Sequence, residues 1–176
     1  LLPGQTVIEN AAKEPHIVDL ANFLNTMGAR ISGAGTDTVK IRGVEKLQGG
    51  TYAIIPDQIE AGTYMIAAAV TNGDVTIHNL IPTHMEPLSA KMREMGYQIE
   101  EGDESIRVFR YDYEDEVYPT SVKTSPYPGF PTDIQSPFMA FLTTVSGSSV
   151  VRETVFENRF MHVVELNRMG ADIIIE

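Results

Sequence analysis

The sequence predicts an α/β protein in which strand–helix–strand units recur, with helices inside and sheets outside. Three observations carry that prediction. The pair Met-Gly closes three similar segments, at Met27, Met95 and Met169, at intervals of 68 and 74 residues, longer than the roughly 20 to 50 residues of solenoid repeats. Pro56–Val70 matches Pro131–Val145 at an offset of 75 residues. Small and apolar residues occupy most faces of those two stretches, whereas Thr38-Val-Lys-Ile-Arg42 and Ser105-Ile-Arg-Val-Phe109 alternate polar with apolar. A helix apolar on most sides is enclosed by protein, and an alternating strand has one wet face.

Taken in order, Thr6–Asn10 reads as a strand leading to a helix whose apolar residues Ile17, Leu20, Ala21, Leu24 and Met27 follow the i, i+3, i+4, i+7 stripe. Pro15 suits its first turn and Gly28 its stop, before a second strand around Arg30-Ile31. Thr76–Asn79 opens a second such run, with Leu88, Met92, Met95 and the stop Gly96; Val151–Thr154 opens a third, with Val163, Leu166, Met169 and Gly170, then a strand through Ile173. The Met-rich faces read as core. Gly33-Ala-Gly35, Gly49-Gly50, Asn72-Gly73-Asp74 and Gly147-Ser-Ser149 mark turns. Tyr111–Thr120, acidic and laced with tyrosines, breaks the pattern and reads as a solvated loop or hairpin tip.

Composition narrows the chemistry. In 176 residues, Lys+Arg 13 against Asp+Glu 24 leaves a net charge of -11, a balance unsuited to nucleic acid or anionic membrane. With no cysteine there is no thiolate nucleophile or Cys-ligated metal, and His16, His78, His84 and His162 fall at no ligand spacing. The most apolar stretch, Met65–Val70, is far too short to span a bilayer, and the start lacks a signal-peptide pattern. A cytoplasmic protein is expected. The chain opens on Leu1 and ends on Ile173-Ile-Ile175-Glu176, so we expect an internal fragment of something longer.

The repeated unit, together with TVIENAAKEPHIVDLANFLNTMGA, PYPGFPTDIQ and ETVFENRFMHVVELNRMGA, resembles the bacterial UDP-N-acetylglucosamine enolpyruvyl transferases along the whole chain. FPTD followed twenty residues on by ETVFENRF separates that family from its shikimate-pathway cousin of the same fold. The resemblance implies an inside-out α/β barrel fold of βαβαββ units, two domains of three units each, with the active site in the cleft between them. Three of six units would be present: residues 1–57 as the last unit of one domain, 58–176 as the first two of the other. The implied reaction transfers the enolpyruvyl group of phosphoenolpyruvate to the 3′-hydroxyl of UDP-N-acetylglucosamine and releases phosphate, the first committed step of peptidoglycan synthesis, without metal or organic cofactor. The basic clusters and mobile loop that serve phosphoenolpyruvate in such enzymes lie in parts of the family pattern outside this chain. The expected partners are the two substrates and the remainder of the chain.

Read from the residues alone, Thr132 or Asp133 is a helix cap, Val155 and Phe156 pack at a strand end, Glu14 is a helix-start acid and Asp57 a turn residue. The resemblance implies other roles. Asp133 becomes the carboxylate beside the sugar 3′-hydroxyl, as general base or orienting group, with Thr132 next to it. Val155 and Phe156 contact the uracil by backbone and ring, and Arg159 holds a substrate group or an interdomain carboxylate. Glu14, Asp57 and Glu157 are candidate cleft carboxylates. Two rival readings remain: a non-catalytic module of the same architecture that binds UDP-sugar weakly or not at all, and the RNA 3′-phosphate cyclase group, against which the acidic balance argues.

Overall fold

A computed structural model describes residues 3–112 and 116–176. The chain divides into two compact units, Leu1–Ile55 with Pro126–Pro128, and Pro56–Ser125 with Gly129–Glu176.

In the first unit, β1 (Gln5–Glu9), α1 (Pro15–Thr26), β2 (Arg30–Ser32) and β3 (Thr38–Arg42) form a three-stranded antiparallel sheet with one helix, in the strand order β1-β3-β2. Register runs from Gln5 opposite Arg42 to Glu9 opposite Thr38. Val39 turns its side chain to the protein side while Lys40 and Arg42 stay exposed, the alternation expected of a half-wet strand. Ala21 is buried on α1, but Leu20 of the predicted stripe is half exposed. The irregular segment after β3 covers part of α1: the Tyr52 hydroxyl donates to Asp19 Oδ1 at 2.7 Å, and the Tyr52 and Phe23 rings lie 5.3 Å apart.

The second unit contains α2 (Gln58–Val70), β4 (Val75–His78), a 3-10 turn (Pro82–His84), α3 (Glu86–Glu94), β5 (Gln98–Glu101), β6 (Ser105–Phe109), β7 (Val122–Lys123), α4 (Thr132–Leu142), β8 (Val151–Arg152) and α5 (Met161–Arg168). Its larger sheet has the order β4-β6-β5, all antiparallel, the same first–third–second order as in the first unit. Ile106 and Val108 of β6 enter the core, and Arg107 between them pairs with Asp74 at 2.7 Å and Glu100 at 3.1 Å. One hydrophobic core joins this sheet to α2, α3 and α4 through Met65, Ile66, Leu88, Met92, Ile134 and Phe138. The α2–α4 contact is close: a Cβ on Gly62 would lie 2.7 Å from Ile134 Cδ1, so a larger residue at that crossing has to displace the end of the Ile134 side chain.

Each of the three Met-Gly stops ends a helix, with φ of +97° at Gly28, +101° at Gly96 and +104° at Gly170, the left-handed position that ends a helix with least strain on glycine. A second device fixes the exit direction. Asn25 Nδ2 donates to the Ile31 carbonyl and its Oδ1 accepts from the Ile31 amide, both at 2.8 Å; Asn167 clasps Ile173 in the same way at 2.9 and 3.0 Å.

The structure corrects several expectations. Ile173 continues no strand, and β8 is two residues long, paired in parallel with β7. Met92 and Met95 are fully buried as expected, but Met169 is 83% exposed. The helix α2 is enclosed on one side only, with Tyr64 58% exposed. No closed barrel forms among the described residues. Of the Tyr111–Thr120 segment, residues 113–115 lie outside the described ones; its last residue, Thr120, donates its hydroxyl to Glu94 at 2.7 Å.

Candidate functional site

The loop after β8 and the first turn of α4 meet in the second unit, and their meeting brings together most of the residues singled out in the sequence. The N-cap of α4 is Pro131, with no side-chain cap, so Thr132 and Asp133 are not caps. Both side chains are directed to other partners. Thr132 Oγ1 donates to Glu153 Oε2 at 2.9 Å, and Asp133 Oδ1 pairs with Arg159 Nη2 at 2.6 Å. Asp133 remains about half exposed, the condition for a carboxylate that has to meet a ligand. Pro137 lies inside α4; lacking an amide proton, it leaves the Asp133 carbonyl without its intrahelical donor.

Arg159 ties this turn to the aromatic side of the site. Its Nη1 is 3.4 Å from Thr132 Oγ1, and its guanidinium carbon sits 5.3 Å from the centroid of the Phe156 ring, within range of a cation–π attraction. Val155 and Phe156 do not pack at a strand end: they lie beyond β8 in a turn, 44% and 57% exposed. Leaving an aromatic ring this open costs burial energy, and a ring held in place by its backbone offers a flat apolar face at little ordering cost. Glu157, also exposed, follows in the same turn.

Two candidates stand apart. Asp57 is the N-cap of α2 rather than a plain turn residue, its Oδ1 accepting from the Ile59 and Glu60 amides at 2.8 and 3.3 Å. Glu14 occupies the N-cap position of α1 in the first unit without a side-chain capping bond, and its Oε2 is buried with no hydrogen-bond partner among the described residues.

The residue that sequence reading passed over is Glu153. Its Oε1 accepts from Thr124 Oγ1 at 2.7 Å and from the amides of Val155 and Phe156 at 2.8 and 2.9 Å. Burial raises the pKa of this carboxyl, but the bonds from the Phe156 amide, Thr124, the Val155 amide and Thr132 outweigh it, and the net direction is down. The local signal was an acid two and three residues before the amides it caps, the side-chain-to-backbone pattern of a turn. Its bonds to Thr124 and Thr132, 29 and 21 residues away, have no such local signal.

Beside this cluster, His162 Nδ1 is 3.4 Å from Ser136 Oγ, and Nε2 is buried without a partner among the described residues. Burial, with the nearby charge of Arg159, pushes this imidazole below its ordinary value of 6.5. No group of three or more His, Asp or Glu among the described residues is arranged to hold a metal ion, and no helix among them is long and apolar enough to cross a membrane.

Both units belong to a fold already seen in a solved structure, the enolpyruvyl transferase NikO from Streptomyces tendae. The match has a TM-score of 0.83 over 99% of this chain and 41% of that one, at 23% identity. The fold is therefore the α/β architecture of that group. The chain belongs to the family described as EPSP synthase (3-phosphoshikimate 1-carboxyvinyltransferase), which it matches over residues 1–176. Among curated relatives it is 57% identical to UDP-N-acetylglucosamine 1-carboxyvinyltransferase 3 of Caldanaerobacter subterraneus subsp. tengcongensis, over 98% of this chain and 41% of that protein. It is 58% identical to UDP-N-acetylglucosamine 1-carboxyvinyltransferase of Halothermothrix orenii with the same coverage, and 58% identical to UDP-N-acetylglucosamine 1-carboxyvinyltransferase 2 of Carboxydothermus hydrogenoformans, over 100% of this chain and 42% of that protein. The chain spans about two-fifths of the length of the curated relatives it matches.

Proposed function

We propose that this chain is the UDP-sugar side of an enzyme that moves the enolpyruvyl group of phosphoenolpyruvate onto the 3′-hydroxyl of UDP-N-acetylglucosamine, in the cytoplasm, at the entry to peptidoglycan synthesis. The observation that carries the reading is the cluster of Asp133, Arg159 and Phe156: a half-exposed carboxylate, a cation that holds it, and an open ring that the same cation faces. The identity of 57–58% to the UDP-N-acetylglucosamine transferases, with FPTD and ETVFENRF intact, supports the choice of sugar nucleotide over shikimate 3-phosphate.

In this reading a bond forms between the sugar 3′-oxygen and the enolpyruvyl carbon, the bond from that carbon to phosphate breaks, and the hydroxyl proton is lost. Asp133 takes that proton or aligns the hydroxyl. Phe156 stacks on the uracil. The amides of Val155 and Phe156 are held by Glu153, and the backbone of this turn contacts the base. Thr132 and Arg159 complete the wall, and Glu157, Asp57 and Glu14 are carboxylates of the larger site. The fold reading that goes with it is the inside-out arrangement of repeated units, residues 1–57 closing one domain and 58–176 beginning the next, with three of six units here. The phosphoenolpyruvate-binding cations are supplied by the rest of the protein; 13 dispersed cations in a chain of charge -11 are poorly suited to that task.

Phosphate release from phosphoenolpyruvate tests the assignment. A full-length protein containing this sequence should release phosphate with UDP-N-acetylglucosamine and not with shikimate 3-phosphate, and residues 1–176 alone should release none above a blank. Turnover with shikimate 3-phosphate only would overturn it.

A further inference from the structure

Glu153 joins the two halves of the cluster, and this is a role that neither the burial pattern nor the spacing of the motif supplies. One oxygen holds the backbone of the Val155–Phe156 turn, through both amides; the other holds the hydroxyl of Thr132, the residue before Asp133. The carboxylate is itself anchored. Thr124, fully buried, donates its hydroxyl to Oε1, and its backbone is fixed by the Thr124 amide to the Arg152 carbonyl at 2.9 Å and by Thr154 Oγ1 to the Thr124 carbonyl at 2.5 Å. Four donors therefore converge on one side chain from three separate segments. A carboxylate with that many donors stays ionised, and charge-assisted bonds of this kind are shorter and stronger than neutral ones.

We propose that Glu153 is a positioning residue for this site. It sets the base-contacting turn and the Asp133-bearing first turn of α4 in one fixed relation, so that base contact and proton handling depend on the same carboxylate. The proposal rests on the reading of Asp133 and Phe156 given above. Removing the carboxylate frees both turns at once, and a reacting group displaced by about 1 Å can lose on the order of 100-fold in rate.

The test uses full-length protein containing this sequence, with UDP binding followed by calorimetry and turnover by phosphate release. In folded Glu153→Ala protein, UDP affinity should fall at least about tenfold and kcat at least about tenfold. Glu153→Gln keeps an acceptor toward the turn and should restore affinity to within about threefold. Thr132→Val removes the bond to Glu153 together with the longer one from Arg159 and leaves the Glu153 bonds to the turn in place; it is expected to fold and should lower kcat several-fold. Wild-type affinity and kcat in folded Glu153→Ala, or wild-type kcat in Thr132→Val, would overturn the proposal. If instead Phe156→Ala binds UDP as wild type does, the reading of the base site fails, and it fails independently of Glu153.

Discussion

Arg159 Nη2 lies 2.6 Å from Asp133 Oδ1 while the same guanidinium rests 5.3 Å from the Phe156 ring centroid. A single cation thus links the half-exposed Asp133 carboxylate to the open Phe156 ring. The link is within the second unit, so the carboxylate that Arg159 engages comes from its own neighbourhood.

Arg159→Met should lower kcat about tenfold through misplacement of Asp133. Stability should change by less than about 1 kcal/mol, since half-exposed ion pairs contribute little. Steady-state kinetics and thermal melting of the same variant check this; a large fall in melting temperature with unchanged kcat would make the pair structural.

Phe156→Ala should weaken UDP-sugar binding by about 1–3 kcal/mol, the usual loss for a base–aromatic stack. The ring is 57% exposed, so melting should hardly move. Calorimetric titration and melting together decide; lost stability with retained affinity would contradict the assignment.

His162 predicts a pH dependence of stability. Its folded-state pKa lies below the ordinary 6.5, so the unfolded chain takes up the proton first as pH falls. Stability is full above about 6.5 and declines below it, toward the lowered folded value. Denaturant melts at a series of pH values should show that slope, and His162→Gln should flatten it in that window; an unchanged slope would remove His162 as its source.

Gly62→Ala should destabilise the second unit by about 1–3 kcal/mol, although alanine is the better helix former, because the new Cβ meets Ile134, Leu88 and Met85 at 2.7, 3.2 and 3.2 Å. Equilibrium unfolding measures it; a gain in stability would mean the α2–α4 crossing has room to relax.

What the sequence revealed follows the range of the interactions. Gly28, Gly96 and Gly170 were legible because a helix stop is a local requirement, and β3 and β6 because alternation is. Met169 was misread because a helical stripe reports which face is apolar, not whether another element covers it. The same limit applies to Tyr64 on α2. The exposure of Phe156 was not legible from the residues, since an aromatic after an apolar strand indicates packing. Glu153 escaped because its partners Thr124 and Thr132 are distant in sequence and close only in the fold. Asp57 reads as a turn residue but is the N-cap of α2, and its two capping bonds needed the helix start to be known.

Asp133→Asn in a full-length protein containing this sequence tests the central claim most directly, since asparagine keeps the shape and loses the base. In that variant kcat for phosphate release should fall by on the order of 100-fold or more, while calorimetric affinity for UDP-N-acetylglucosamine stays within about threefold. A kcat within about threefold of wild type would contradict it and leave Asp133 as no more than the ion-pair partner of Arg159.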